Sequence, residues 1–175
     1  MKQVYYIMKA ELQSLFYSPI AWLILVVFTI QCSVAFCDTL DSVAKAVAEG
    51  QQMPGLTYWF FSRDYHGWGV FHAGMRYLYI YFPLLTMGLF SRELASGSIK
   101  LLDSSPVSTI QVVIGKFFSM LVYALVLLGV WMIFVIYGGI SIENFAYARI
   151  WVAFLGMFLT MATYSAIGLF MSSLT

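Results

Sequence analysis

Apolar positions in this chain come in long unbroken blocks, and the polar positions gather between them. Four blocks, at 19–37, 72–90, 112–137 and 150–171, are dominated by Leu, Ile, Val, Phe and Met and carry at most a charge near one end. Each approaches the ~20 residues that a helix needs to cross the hydrocarbon core of a bilayer. Helices are the open-ended way to satisfy every backbone N–H and C=O inside lipid, and a transmembrane barrel would need shorter, alternating segments. The pattern therefore predicts an all-α fold, a polytopic bundle of transmembrane helices.

Residues 1–18 follow a different period. On a helical wheel Val4, Tyr5, Met8, Leu12 and Leu15 share one face, while Lys2, Lys9 and Gln13 lie beyond its edge. This predicts an amphipathic helix lying in the membrane interface, with those five apolar side chains as its anchor. Glu11 interrupts the segment, which reads as neither a span nor a signal peptide. Ser18 precedes Pro19 and is pushed away from the helical region, so a bend is expected before the first span. Residues 38–71 read as an irregular outer loop punctuated by Gly50, Pro54, Gly55, Gly67 and Gly69, with room for a short helix over 41–49. Trp59, Phe60, Phe61, Tyr65, Trp68 and Phe71 crowd just ahead of the second span, where an aromatic belt belongs. A stacking surface for a lipid-linked substrate is the other reading of these rings.

Composition agrees with the pattern, since 62% hydrophobic residues, 10% charged residues and a mean hydropathy of +0.86 cannot be wrapped into a soluble globule of 175 residues. A formal net charge of +1 without a basic stripe argues against a nucleic-acid partner. Lys2, Lys9, Arg92, Lys100 and Lys116 fall on the side of the N-terminus, and Lys45, Arg63, Arg76 and Arg149 fall opposite. That slight basic excess places both ends of the chain in the cytoplasm.

Candidate chemistry is sparse. Asp64, His66 and His72 are the one cluster resembling metal ligands, and nothing supplies the further converging groups that a metal centre needs. Cys32 and Cys37 lie five positions apart on one helix, hence on different faces, and are expected to be packed, unpaired thiols. Lys116 and Arg76 sit near span ends and are expected to snorkel to the surface, which leaves no ionisable group at mid-membrane for a proton relay. Hydrolase, zinc-protease and phosphate-loop signatures are missing as well. The chain is expected to have no catalytic residue, no metal site and no bound cofactor.

The polar passage 91–111 between the second and third blocks is the candidate functional element. Arg92 to Ser96 continues the second helix, Gly97 breaks it, and Ser98 caps a short helix through Leu102. A turn follows from Asp103 to Pro106. Ser108 and Gln111 then form a capping box that starts the third span, with Gly115 and Lys116 in its first turns. The product is a compact pair of helices at the cytoplasmic surface.

Glu93, Gly97-Ser98, Leu102 and Pro106-Val107-Ser108, followed by Gly115-Lys116, resemble the loop signature of ABC-2 type transporter permeases. Tyr17-Ser18-Pro19-Ile20-Ala21 is similar to the junction of elbow helix and first span in the same family, and the passage from Gly168 to Thr175 resembles the end of its fourth span. The nearest flavour is the gliding-motility-associated and copper/nitrous-oxide-type permeases. Lys100 departs from the family's usual acid. The resemblance implies six spans, so the chain is expected to be truncated after its fourth.

What the resemblance implies is a permease subunit of an ATP-driven exporter in the inner (plasma) membrane. Its 91–111 loop would be a coupling helix, docking a cytoplasmic ATPase through Arg92, Glu93, Gly97, Ser98, Leu101, Leu102, Asp103 and Pro106. ATP and magnesium would be held by that ATPase, and a second permease subunit, identical or not, would complete the membrane part. The alternative is a membrane scaffold for a motility or secretion assembly with no translocated substrate.

Overall fold

The computed structural model describes residues 2–50, 55, 57, 61, 70–96, 108–142 and 145–174, with the backbone alone at 73 and 87–96. Most of these residues lie in five long helices: α1 (Lys2–Tyr17), α2 (Pro19–Ala48), α3 (Val70–Ser96), α4 (Thr109–Ser141) and α5 (Tyr147–Ser173). No strand occurs among the described residues. The expected all-α fold is thus the observed one.

Among the described residues three helices, α2, α4 and α5, are long and apolar enough to cross a membrane. α3 coincides with the second expected block, 72–90, but Arg76, Pro83 and the tyrosines at 77, 79 and 81 make it less apolar than the others. Along α2 the buried positions Ala21, Ile24, Phe28, Cys32, Phe36 and Thr39 form one helical stripe. Ile20, Leu23, Val26, Ile30 and Val34 stand exposed on the other side. Water would penalise so large an apolar outer face, whereas lipid does not.

One expectation requires correction. α2 does not end near Cys37 but continues unbroken to Ala48, absorbing the short helix expected over 41–49. At 1.5 Å per residue its 30 residues reach about 45 Å, beyond the ~30 Å of a hydrocarbon core. The exposed residues Asp38, Asp41, Ser42 and Lys45 occupy the surplus turns. Polarity marked the end of the apolar block there, and nothing in residues 38–48 breaks a helix. Gly50, at φ 74°, provides the stop: its N–H bonds to Val47 O at 3.0 Å in the left-handed conformation that glycine adopts freely.

The chain divides into two compact units. The first comprises Met1–Ile24, Tyr79–Val126 and Phe158–Thr175. Its interior combines Leu15, Phe82, Met120, Tyr123 and Met161 with the buried polar groups Thr86, Lys116, Ser119 and Ser165. The hydroxyls return to their own helices, Thr86 donating to Phe82 O at 2.9 Å and Ser165 to Met161 O at 2.8 Å, so burial strands neither of these two groups. Gly168 lets α5 close on Thr86, where any side chain would collide with the threonine.

The second unit comprises Leu25–Leu78 and Leu127–Met157. It is built around Trp131, whose indole N–H donates to Cys32 Sγ at 3.0 Å and whose ring lies 4.2 Å from that of Phe71. Gly74 supplies the space into which the indole fits. Phe61 and Phe71 are buried in this cluster, Phe61 edge-on to Phe145 at 5.7 Å. These two rings are therefore core residues rather than part of an exposed aromatic belt. Trp59, Phe60, Tyr65 and Trp68 lie outside the described residues. Cys32 and Cys37 are both free thiols, but Cys37 is exposed rather than packed.

Candidate functional site

The site is built where α1 meets the beginning of α4, within the first unit. α4 starts as expected: Ser108 N–H donates to Gln111 Oε1 at 3.3 Å, and Gln111 N–H to Ser108 Oγ at 3.4 Å. This capping box satisfies two of the donors that a helix start leaves open and fixes the direction in which α4 departs from the loop before it.

One turn later α4 presents Gly115 to α1. A methyl group there would stand 2.6 Å from Ile7 Cγ2 and 3.5 Å from the backbone nitrogen of Met8, so only glycine permits this approach. The next residue, Lys116, has 0% of its side chain exposed and donates to Glu11 Oε1 at 2.6 Å, the carboxylate itself being 16% exposed. The expectation that Lys116 snorkels to the surface is overturned. Its ammonium is turned onto a carboxylate of α1, and the Coulomb attraction and charge-assisted hydrogen bond offset the cost of removing both from water.

Around this pair the packed positions of α1 are Val4, Ile7, Met8, Glu11, Leu12 and Leu15, a stripe with the 3–4 spacing of a helix lying on a partner. Four of the five expected anchor residues, Val4, Met8, Leu12 and Leu15, belong to it. Tyr5 does not, being 56% exposed. Ser18 forms the expected bend, its N–H bonded to Leu15 O at 3.1 Å. Two contacts then tie the bend down. Trp22 Nε1 donates to Phe16 O at 2.8 Å, and Tyr123 Oη of α4 donates to Ala21 O at 2.8 Å. Consequently α1, the first turn of α2 and the first four turns of α4 form one interlocked piece.

The backbone of α3 runs unbroken through Arg92 and Glu93 to Ser96, as the sequence predicts. The side chains of Arg92 and Glu93, and the whole of Gly97, Ser98, Leu101, Leu102, Asp103 and Pro106, lie outside what the structure describes. Of the possible metal ligands, Asp64 and His66 lie outside it too. Among the described residues no three His, Cys, Asp or Glu side chains converge. Sequence reasoning missed Glu11 as a partner of Lys116, because the two are 105 positions apart. The available signal was an acid on the face of α1 that otherwise carries apolar side chains.

Long apolar helices, lipid-suited outer faces and a short helix folded onto the start of a span define a multi-pass helical membrane protein. Residues 5–175 match the family model described as ABC-2 family transporter protein, and the chain belongs to that family. It is therefore a membrane component of the ABC transporter type, and the family implies association with the membrane and with an ABC ATPase. Neither curated proteins nor solved structures give a match.

Proposed function

We propose that this chain is the permease subunit of an ATP-driven exporter in the inner membrane, and that residues 91–111 form the coupling element that docks its ATPase. α3 over 72–90 is the second span, and both termini are cytoplasmic. ATP and magnesium belong to the ATPase, and a second permease subunit completes the pathway. Within the family we assign it to the gliding-motility-associated and copper/nitrous-oxide-type permeases, on the loop motif alone.

The observation that carries this reading is the family match over 5–175. The interlocked piece at the start of α4 supports it. A loop that is to move a span needs a stiff connection at its exit, and the capping box, the Gly115 contact and the Lys116–Glu11 pair lie within the first nine residues after 107. Nucleotide-driven motion of the ATPase would bias two arrangements of the membrane helices, with the loop as the part both sides touch. Photocrosslinking tests the assignment. A photoreactive residue at Leu101 is expected to capture the ATPase, and one at Ile140, at the far end of α4, is expected not to. Capture from neither position, or from Ile140 alone, contradicts it.

A further inference from the structure

The outward side of α1 carries a second pattern. Glu11 is the helix's one acid, and it is turned inward onto Lys116. What α1 presents outward is therefore basic and aromatic, with Lys2, Tyr5, Tyr6, Lys9, Gln13 and Tyr17 all exposed, Tyr17 to 88%. Along this side runs a groove of about 360 Å³, lined by Lys9, Leu12, Gln13, Phe16 and Tyr17. The spacing places an ammonium, an amide and a phenol beside two apolar side chains over little more than two helical turns. Phe16 is held in place from behind, its ring 6.0 Å from that of Trp22 and its carbonyl accepting the Trp22 N–H.

Donors with one positive charge beside an apolar floor suit an amphiphile with an anionic head. We propose that this groove is a binding site for an anionic phospholipid, its phosphate on Lys9 with Gln13 and Tyr17 as further donors, and its upper acyl carbons along Leu12 and Phe16. Charge complementarity selects this occupant: the face has two cations and no acid, and each Lys near an anionic bilayer surface adds to the attraction. The exposed tyrosines and Trp22 fit the same depth, since such rings settle at the headgroup level. The inference rests on the chain being a membrane protein and not on the ATPase docking proposed above.

Native mass spectrometry of the full chain after equilibration with mixed phosphatidylglycerol and phosphatidylcholine tests it. Wild-type protein is expected to retain phosphatidylglycerol preferentially. Lys9→Gln is expected to lower that retention about fivefold, Lys9→Arg to keep it, and Lys45→Gln, at the distant end of α2, to leave it unchanged. Because Lys9 is exposed, the melting temperature of Lys9→Gln is expected to match wild type. Equal retention of the two lipids, or unchanged retention in Lys9→Gln, overturns the site. Loss of lipid from Lys9→Arg as well as Lys9→Gln also overturns it, since a charge-based contact survives that exchange. ATPase co-purification is read separately, so failure here leaves the docking proposal untouched.

Discussion

Lys116 is a fully buried cation of the first unit. A lysine near the end of an apolar block has water within reach of its long side chain, and from the sequence alone that is where it belongs. Its burial becomes intelligible only with Glu11 in place, and a partner 105 positions away leaves no local signature. Gly115 shows the converse: the Gly-Lys pair was legible as a motif, while the reason for it, the passage of Ile7 over a missing side chain, was not. Lys116→Met is expected to strand the Glu11 carboxylate, and Glu11→Leu to strand the ammonium, each costing about 3 kcal/mol. Thermal unfolding in detergent reads this as a lowered midpoint. Restoring much of the loss in the double variant Lys116→Met, Glu11→Leu would show that pairing, and not either side chain alone, is what counts. Gly115→Val is likewise expected to destabilise, with partial rescue by Ile7→Ala, which removes the methyl that it would strike.

Helices repeat a period along the chain, so at the scale of elements the sequence was more informative. The bend at Ser18, the continuation of α3 to Ser96 and the capping box at Ser108 all follow from neighbouring residues, and each stands where the local rule puts it. The end of α2 was misplaced because hydropathy reports where lipid stops, not where a helix does. Phe61 and Phe71 were misplaced because an aromatic residue ahead of a span suits either a headgroup belt or a core, and only the packing on Trp131 and Phe145 decides. Removing the cap with Ser108→Ala is expected to cost about 1 kcal/mol, visible as faster amide exchange in the first turn of α4. For α1, Met8→Asp with Leu12→Asp places charge into the packed stripe and is expected to lower the yield of folded protein in the membrane. Normal accumulation and an unchanged midpoint would contradict the packing described for α1.

For the whole molecule, class and family were legible because solvent leaves its mark on every residue, and a chain this apolar has one medium available to it. The loop proposed to dock the ATPase must face the cytoplasm. Topology is the first constraint on it. In a Cys37→Ala background, which removes the exposed native thiol, a cysteine at Glu49 or Asn144 is expected to react with an impermeant reagent in sealed cells. A cysteine at Ser98 is expected to be spared, and labelling there would place the loop on the wrong side of the membrane for any cytoplasmic partner.

If residues 91–111 hold the ATPase, co-purification depends on that loop. A short helix docked in a groove commonly binds through one or two buried apolar anchors, and truncating such an anchor costs about 2 kcal/mol or more. Leu101→Asp together with Leu102→Asp is therefore expected to abolish recovery of the ATPase with the tagged chain while membrane insertion, the folded yield and the melting midpoint stay at wild-type values. Recovery of the ATPase at wild-type yield with both leucines replaced would contradict the coupling role and bring forward the reading of the chain as a membrane scaffold.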